Sequence, residues 1–327
     1  MSFKEDIYQL LDIKEIYLEP EVYNYTRGQE ILEKFSGAKI TEVPSHWKIP
    51  NLHGNAGSIE DWIKIKKNIL VLGVKKSLTC RPNSRSSHFV APSLSNGCTM
   101  ACSYCYVPRR KGFANPISLF VNIEKIVHYL KGHATRQGIK YDQDQIDPSC
   151  WVYEIGENGD CSIDAGVCDN VKDIIHWFSE IPNAKATFAT KYVNRKLLTY
   201  DPKGKTRIRF SLMPQKVATV VDVRTSLIKD RIEAVNDFVD AGYEVHLNFS
   251  PVIYYDGWQE DYIELFQQVN DSLSEKAKQQ LKCEVIFLTH NTQLHEINME
   301  WHPKGEAYLW HPKLQETKYS QIGGKNL

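Results

Sequence analysis

Apolar and polar positions first fall into order between residues 14 and 43. There the chain reads as a short strand, "EIYLEP", a helix, "TRGQEILEKF", and a second strand, "AKITEV", which predicts a small α/β unit near the N-terminus. The stretch "CRPNSRSSHFVAPSLSNGC" then passes through turn-forming residues into a short apolar run, His88 to Ala91, and a loop. Beyond it, strand patterns recur as "CWVYEIG" (150–156), "KATFAT" (185–190), "TRIRFSLM" (206–213), "YEVHLNFSPVI" (243–253) and "CEVIFLTH" (283–290). Helical patterns such as "NVKDIIHWFSEI" and "IKDRIEAVNDFVDAG" separate them, the second closed by Gly242 after Ala241, as a helix C-cap would be. Repeated strand–helix units predict a parallel sheet, and their number suits a full or partial (β/α) barrel, whose chemistry gathers on the loops after the strands. No internal repeat, low-complexity tract or heptad run interrupts the pattern.

Composition narrows the possibilities. Lys+Arg and Asp+Glu both count 40, so any attraction to phosphate must come from a local patch and not from overall charge. The first residues lack the basic start, apolar run and small-residue cleavage site of a signal peptide, and no stretch reaches the roughly 18 apolar residues of a membrane span. A cytoplasmic location without a membrane partner is expected. In that reducing compartment a tight cysteine cluster points to metal binding or catalysis ahead of disulfide formation.

Such a cluster is present. "SNGCTMACSYCYVPRRKGF" places Cys98, Cys102 and Cys105, three of the chain's 8 cysteines, within eight positions, and Gly97 gives the backbone freedom to begin a wrap. Zinc ordinarily takes a fourth protein ligand, and after the cluster the next His is His128 and the next Cys is Cys150. Three thiolates suit a four-iron, four-sulfur cluster with one iron open to a small molecule. Buried free thiols or a zinc site of another kind are the alternative.

The spacing, with the aromatic Tyr104 directly before the third cysteine, resembles the signature of radical S-adenosylmethionine enzymes. In the same order along the chain, "EIYLEPEVYNYTRGQEILEKF", "LVLGVKKSL", "CSYCYV", "FATKY", "TRIRFSLM" and "KDRIEAVNDFVDAGYEVHLNFSPVIYYDGWQEDYIELF" are similar to segments of the spore photoproduct lyase family, while the last fifty or so residues match poorly. The resemblance implies a partial (β/α)6 TIM-type barrel over 86–290, a small N-terminal α/β subdomain over 1–85 and a C-terminal extension over 291–327. It implies a [4Fe-4S] cluster on Cys98, Cys102 and Cys105, and S-adenosyl-L-methionine contacted by Lys191, Ser211 and Tyr106. It also implies an active-site tyrosine pair, Tyr104 and Tyr106, an electron donor such as flavodoxin or ferredoxin, and a nucleic-acid substrate. Arg109, Arg110 and Lys111, beside the expected mouth, could meet a substrate phosphate. The oligomeric state is left open.

One position departs from the family. Where the lyase carries a hydrogen-donating cysteine, after the second barrel strand, this chain has Glu157, and a carboxylate has no S–H bond to give. Cys150 and Cys161 lie nearby in sequence as other candidate donors. In a partly dry pocket the carboxyl of Glu157 would be pushed up unless a cation sits close, and it could then contact substrate or cofactor or act as acid or base. Three readings follow: a radical enzyme acting on a nucleic-acid base or DNA photolesion, a radical enzyme modifying a small molecule, peptide or RNA nucleotide, and a non-catalytic metal-binding module.

Overall fold

The computed structural model describes residues 10–47, 49, 52, 58–107, 112, 114–316, 318–320 and 324–326. Two sheets carry the fold. In the first, β1 (Glu15–Leu18), β2 (Lys39–Glu42) and β3 (Ile69–Gly73) run parallel in the order β2-β1-β3. The helices Thr26–Lys34 and Ile59–Asn68 connect them. In the second sheet six strands run parallel in chain order: β5 (Phe89–Val90), β8 (Trp151–Glu154), β9 (Ala184–Thr190), β10 (Thr206–Leu212), β11 (Glu244–Val252) and β12 (Cys283–Phe287). A two-residue strand, β4 (Arg81–Pro82), pairs antiparallel at the β5 edge. This is the curled, partial barrel that the alternating strand and helix patterns anticipate.

The first sheet does not end with the N-terminal segment. Its order continues into β7 (Ile117–Phe120) and β6 (Ser95–Asn96), so the sheet takes strands from both sides of the cysteine loop. The chain leaves β5 in the barrel sheet, crosses through Ala91–Leu94 and enters β6 in the other. The cysteines therefore leave the fold at the seam between two sheets. Cys98 and Cys102 pack against the core of the first sheet, whereas Tyr104 packs against that of the barrel.

Alternation within the barrel strands divides apolar from polar. On β10 Ile208, Phe210 and Leu212 face the surrounding helices and join the main core, with Val245 and Leu247 of β11 and Phe188 of β9. The intervening residues face the barrel interior and build a layered polar network. At its foot Lys185 and Arg207 bridge Asp147 and Glu244 at 2.8–3.0 Å. Burial raises the Glu244 carboxyl, but His246 Nε2 at 2.9 Å and the charges of Arg207 and Lys185 outweigh it and hold the group well below the usual range. One layer higher, Arg209 pairs with Glu154 and donates to Thr187 Oγ1 at 3.1 Å. Buried charges are normally paired in this way. Ser211, next on the same face of β10, stands at the top of the ladder.

The helix Ile228–Asp240 shows how local sequence sets an element's end. Gly242 has φ 89°, its N–H bonds Val239 O at 3.1 Å, and the N–H of Tyr243 bonds Phe238 O at 3.0 Å. These are the two bonds of a left-handed glycine cap, as the sequence leads one to expect. Among the described residues no helix is long and apolar enough to cross a membrane.

Candidate functional site

The cysteine loop is held by its backbone, leaving its thiols available. Gly97 has φ 93°, and a Cβ there would stand 2.4 Å from Pro116 O, so glycine is needed for both conformation and close approach. The N–H groups of Ala101 and Ser103 bond Val223 O and Val221 O at 3.1 and 2.9 Å, tying the loop to the segment after β10. Lys66 Nζ donates to Cys98 O at 3.0 Å, and Asn298 Nδ2 donates to Ser103 O at 2.7 Å. Cys98, Cys102 and Cys105 are free, half-buried thiols. Burial pushes the Cys98 thiol up to about 12 and the Cys102 thiol well above its ordinary value. Since the thiolate is the ligating form, ligation here releases protons. Among the described residues no three His, Cys, Asp or Glu side chains converge closely enough for a single metal ion. The thiolates of a four-iron cluster bind separate irons and need no such convergence. The donor set of three free cysteines on one pinned loop fits that group.

Around Cys102 the fold assembles residues far apart in sequence. Tyr104 donates its hydroxyl to Asp222, which pairs with the fully buried Arg231 at 3.0 Å. Arg231 in turn donates to Ser211 O at 2.7 Å. Lys191 Nζ lies 5.5 Å from the Tyr104 ring centroid and 3.5 Å from Ser250 O. Burial first, and the negative charge of Asp222 second, push the Tyr104 phenol well above its ordinary value, so it stays protonated. Asp160 fixes the approach of Lys191: it caps the helix Cys161–Val167 through the N–H of Ser162 at 2.9 Å and accepts from Thr190 Oγ1 at 2.8 Å and Lys191 N at 3.2 Å. Lys191 thus stands beside Tyr104 of the cysteine loop, and Ser211 is tied to Tyr104 through Arg231 and Asp222.

Tyr106 and Glu157 meet on the other side of the loop. The Tyr106 hydroxyl donates to Glu157 O at 2.6 Å. A cavity of about 320 Å³ opens there, lined among others by Trp47, Lys75, Arg81, Ser93, Glu157 and Asn158. Glu157 is not a lone carboxylate: Arg81 Nη2 reaches both of its oxygens at 2.5 Å, and Asn158 Nδ2 donates to Oε2 at 3.1 Å. The cation beside Glu157 is Arg81.

The candidate donor cysteines lie elsewhere. Cys150 stands at the foot of β8, with Lys205 Nζ 3.5 Å from its Sγ. Cys161 is buried at the start of its helix, and neither residue lines the cavity. Arg109, Arg110 and Lys111 lie outside the described residues.

Several site residues carried no sequence signal. Lys66 sits in "IEDWIKIKKN" beside Lys64 and Lys67, and only packing distinguishes it. Arg231 and Asp222 look like surface charges of a helix and a turn, yet are 0% and 4% exposed. Arg81 precedes Glu157 by 76 residues.

A spore photoproduct lyase family description matches residues 12–325. The spore photoproduct lyase of a Geobacillus species is 29% identical over 313 residues, covering 95% of this chain and 88% of the relative. The Bacillus subtilis enzyme is 29% identical over 274 residues, covering 83% and 77%. Two solved structures share the fold. A spore photoproduct lyase complexed with dinucleoside spore photoproduct superposes with TM-score 0.83 at 24% identity, and a variant with bound AdoMet and the same dinucleoside gives 0.84 at 24%. Each covers 97% of this chain and 90% of the solved one. The poor match expected of the last fifty residues is corrected, since the family description runs to residue 325. The chain belongs to the spore photoproduct lyase family of radical S-adenosylmethionine enzymes.

Proposed function

We propose that this protein is a radical S-adenosylmethionine lyase acting on a damaged nucleic-acid base, with a [4Fe-4S] cluster on Cys98, Cys102 and Cys105 and the lesion in the cavity beside Glu157. The observation that carries this reading is the pinned loop bearing three free thiols, with Lys191 beside its Tyr104 and Ser211 joined to Tyr104 through Arg231 and Asp222. Relatives solved with AdoMet and a dinucleoside spore photoproduct support the cofactor and the substrate class. When bound, cluster and cofactor supply reductive carbon–sulfur cleavage and, from it, the radical that takes hydrogen from an unreactive C–H bond.

The chain's own residues bind, orient and exclude. Lys191 and Ser211 sit at barrel strand ends, where a bound small molecule would be held. Tyr104, locked to Asp222 and Arg231, braces the loop between the second and third cysteines. Tyr106 stands between the loop and the cavity, with its hydroxyl fixed on Glu157 O. Lys75 and Arg81 give the cavity a positive rim suited to a phosphodiester.

A second reading, radical modification of another substrate, is favoured by one observation: among the residues lining the cavity none is cysteine, and position 157 holds a carboxylate paired with Arg81. Anaerobic product analysis on a dinucleoside spore photoproduct separates the two. Recovered thymine supports the lyase, whereas 5′-deoxyadenosine formed without lesion reversal supports the alternative.

A further inference from the structure

We propose that Lys66 is a positioning residue for the cluster that also sets how easily the cluster is reduced, by placing a buried positive charge against the backbone of the cysteine loop. The inference rests on the functional reading above, which supplies the cluster.

Lys66 lies on the helix Ile59–Asn68, whose N-terminus is fixed by a reciprocal Ser58–Asp61 cap. Its neighbours Lys64 and Lys67 are exposed and half-buried, but Lys66 is 3% exposed. An ammonium is buried only at a cost, and a carboxylate partner normally offsets it. Among the described residues no carboxylate lies within ion-pairing distance of Lys66, and its hydrogen bond goes to Cys98 O at 3.0 Å. With no carboxylate beside it, the counter-charge of this lysine would come from the ligated cysteine loop to which it is bonded.

Three thiolates with an iron–sulfur core carry net negative charge, and one-electron reduction adds another unit. A cation held in a low-dielectric surrounding stabilises the more negative state, and net charge and hydrogen bonding near the cluster are recognised determinants of its potential. Arg224 reinforces the arrangement from the adjacent segment, donating to Thr99 Oγ1 at 2.9 Å and Leu10 O at 2.6 Å. Its partners are neutral as well. A lysine serving only to brace Cys98 O would need a donor but no charge, and this distinction makes the proposal testable.

The experiment is an anaerobic redox titration, followed by electron paramagnetic resonance, of reconstituted wild type, K66R, K66Q and K66M, with iron and sulfide measured per chain. K66Q keeps a donor and removes the charge; K66R keeps both. The proposal predicts near-equal iron content in wild type, K66R and K66Q, a wild-type midpoint for K66R, and a more negative midpoint for K66Q and K66M. Loaded K66Q or K66M with an unmoved midpoint overturns it. So does failure of every variant to load iron, which would make Lys66 a folding residue only. A wild type that itself takes up no cluster would instead refute the functional reading.

Discussion

Arg81 Nη2 contacts both carboxylate oxygens of Glu157 at 2.5 Å, closing an ion pair across the rim of the cavity. The two side chains are 55% and 28% exposed, so solvent screens the pair and its contribution to stability is about 1 kcal/mol or less. Glu157→Ala and Arg81→Ala should therefore unfold close to the wild type in denaturant titrations. Both should reduce the coupling of cofactor cleavage to substrate turnover, read as the ratio of substrate product to 5′-deoxyadenosine. A loss of several kcal/mol, or an unchanged ratio, would place the pair outside the substrate site.

Glu157→Cys tests the departure directly. If the missing thiol is what limits lesion reversal, this variant should form more thymine from a dinucleoside spore photoproduct than the wild type does, with Tyr106 still fixed on the residue-157 carbonyl. Efficient reversal by the wild type that disappears on replacing Cys161 would instead make Cys161 the donor.

Tyr104, Asp222 and Arg231 form a buried chain ending at Ser211 O. Tyr104→Phe leaves the buried Asp222 one donor short and should cost about 1–3 kcal/mol, whereas Asp222→Asn strands the charge of Arg231 and should cost about 3–5 kcal/mol. Tyr106→Phe, at a residue 55% exposed, should leave stability unchanged. Equal stability of all three variants in urea would show that the chain does not brace the loop.

The C-terminal helices add a pH dependence. His302 stacks on Trp301 with ring centroids 4.7 Å apart, and burial lowers its pKa from 6.5 to about 4. Between those values the unfolded chain binds the proton and the folded chain does not, so stability is full above about pH 6.5 and falls as pH drops toward about 4. Burial raises the Glu306 carboxyl, but hydrogen bonds from His290, His295 and Asn298 outweigh it and leave its pKa below 4.5, adding a loss at still lower pH. His302→Phe should flatten the upper part of this profile, by on the order of 3 kcal/mol at most. An unaltered profile between pH 6.5 and 4 would contradict the assignment.

Much of this architecture could be read from the chain. Strand patterns at 206–213 and 243–253 became β10 and β11 with their ends moved by a residue, because alternating apolar residues against helices and a glycine cap are local signals. The cysteine spacing likewise marks its loop without tertiary information. The partnership of Arg81 with Glu157, the choice of Lys66 among three lysines and the burial of Arg231 depend on packing between distant segments, which no local pattern encodes. The same holds for β6 and β7, short strands whose place beside β3 is decided by the whole sheet.

The central claim is that Cys98, Cys102 and Cys105 together hold a cluster with one iron open to S-adenosylmethionine. Its most direct test is 5′-deoxyadenosine formation by anaerobically reconstituted protein given a strong reductant, in the wild type and in the three single Cys→Ala variants. Steady formation by the wild type and none by each variant is the predicted result. Undiminished formation by any one of the three variants would contradict it.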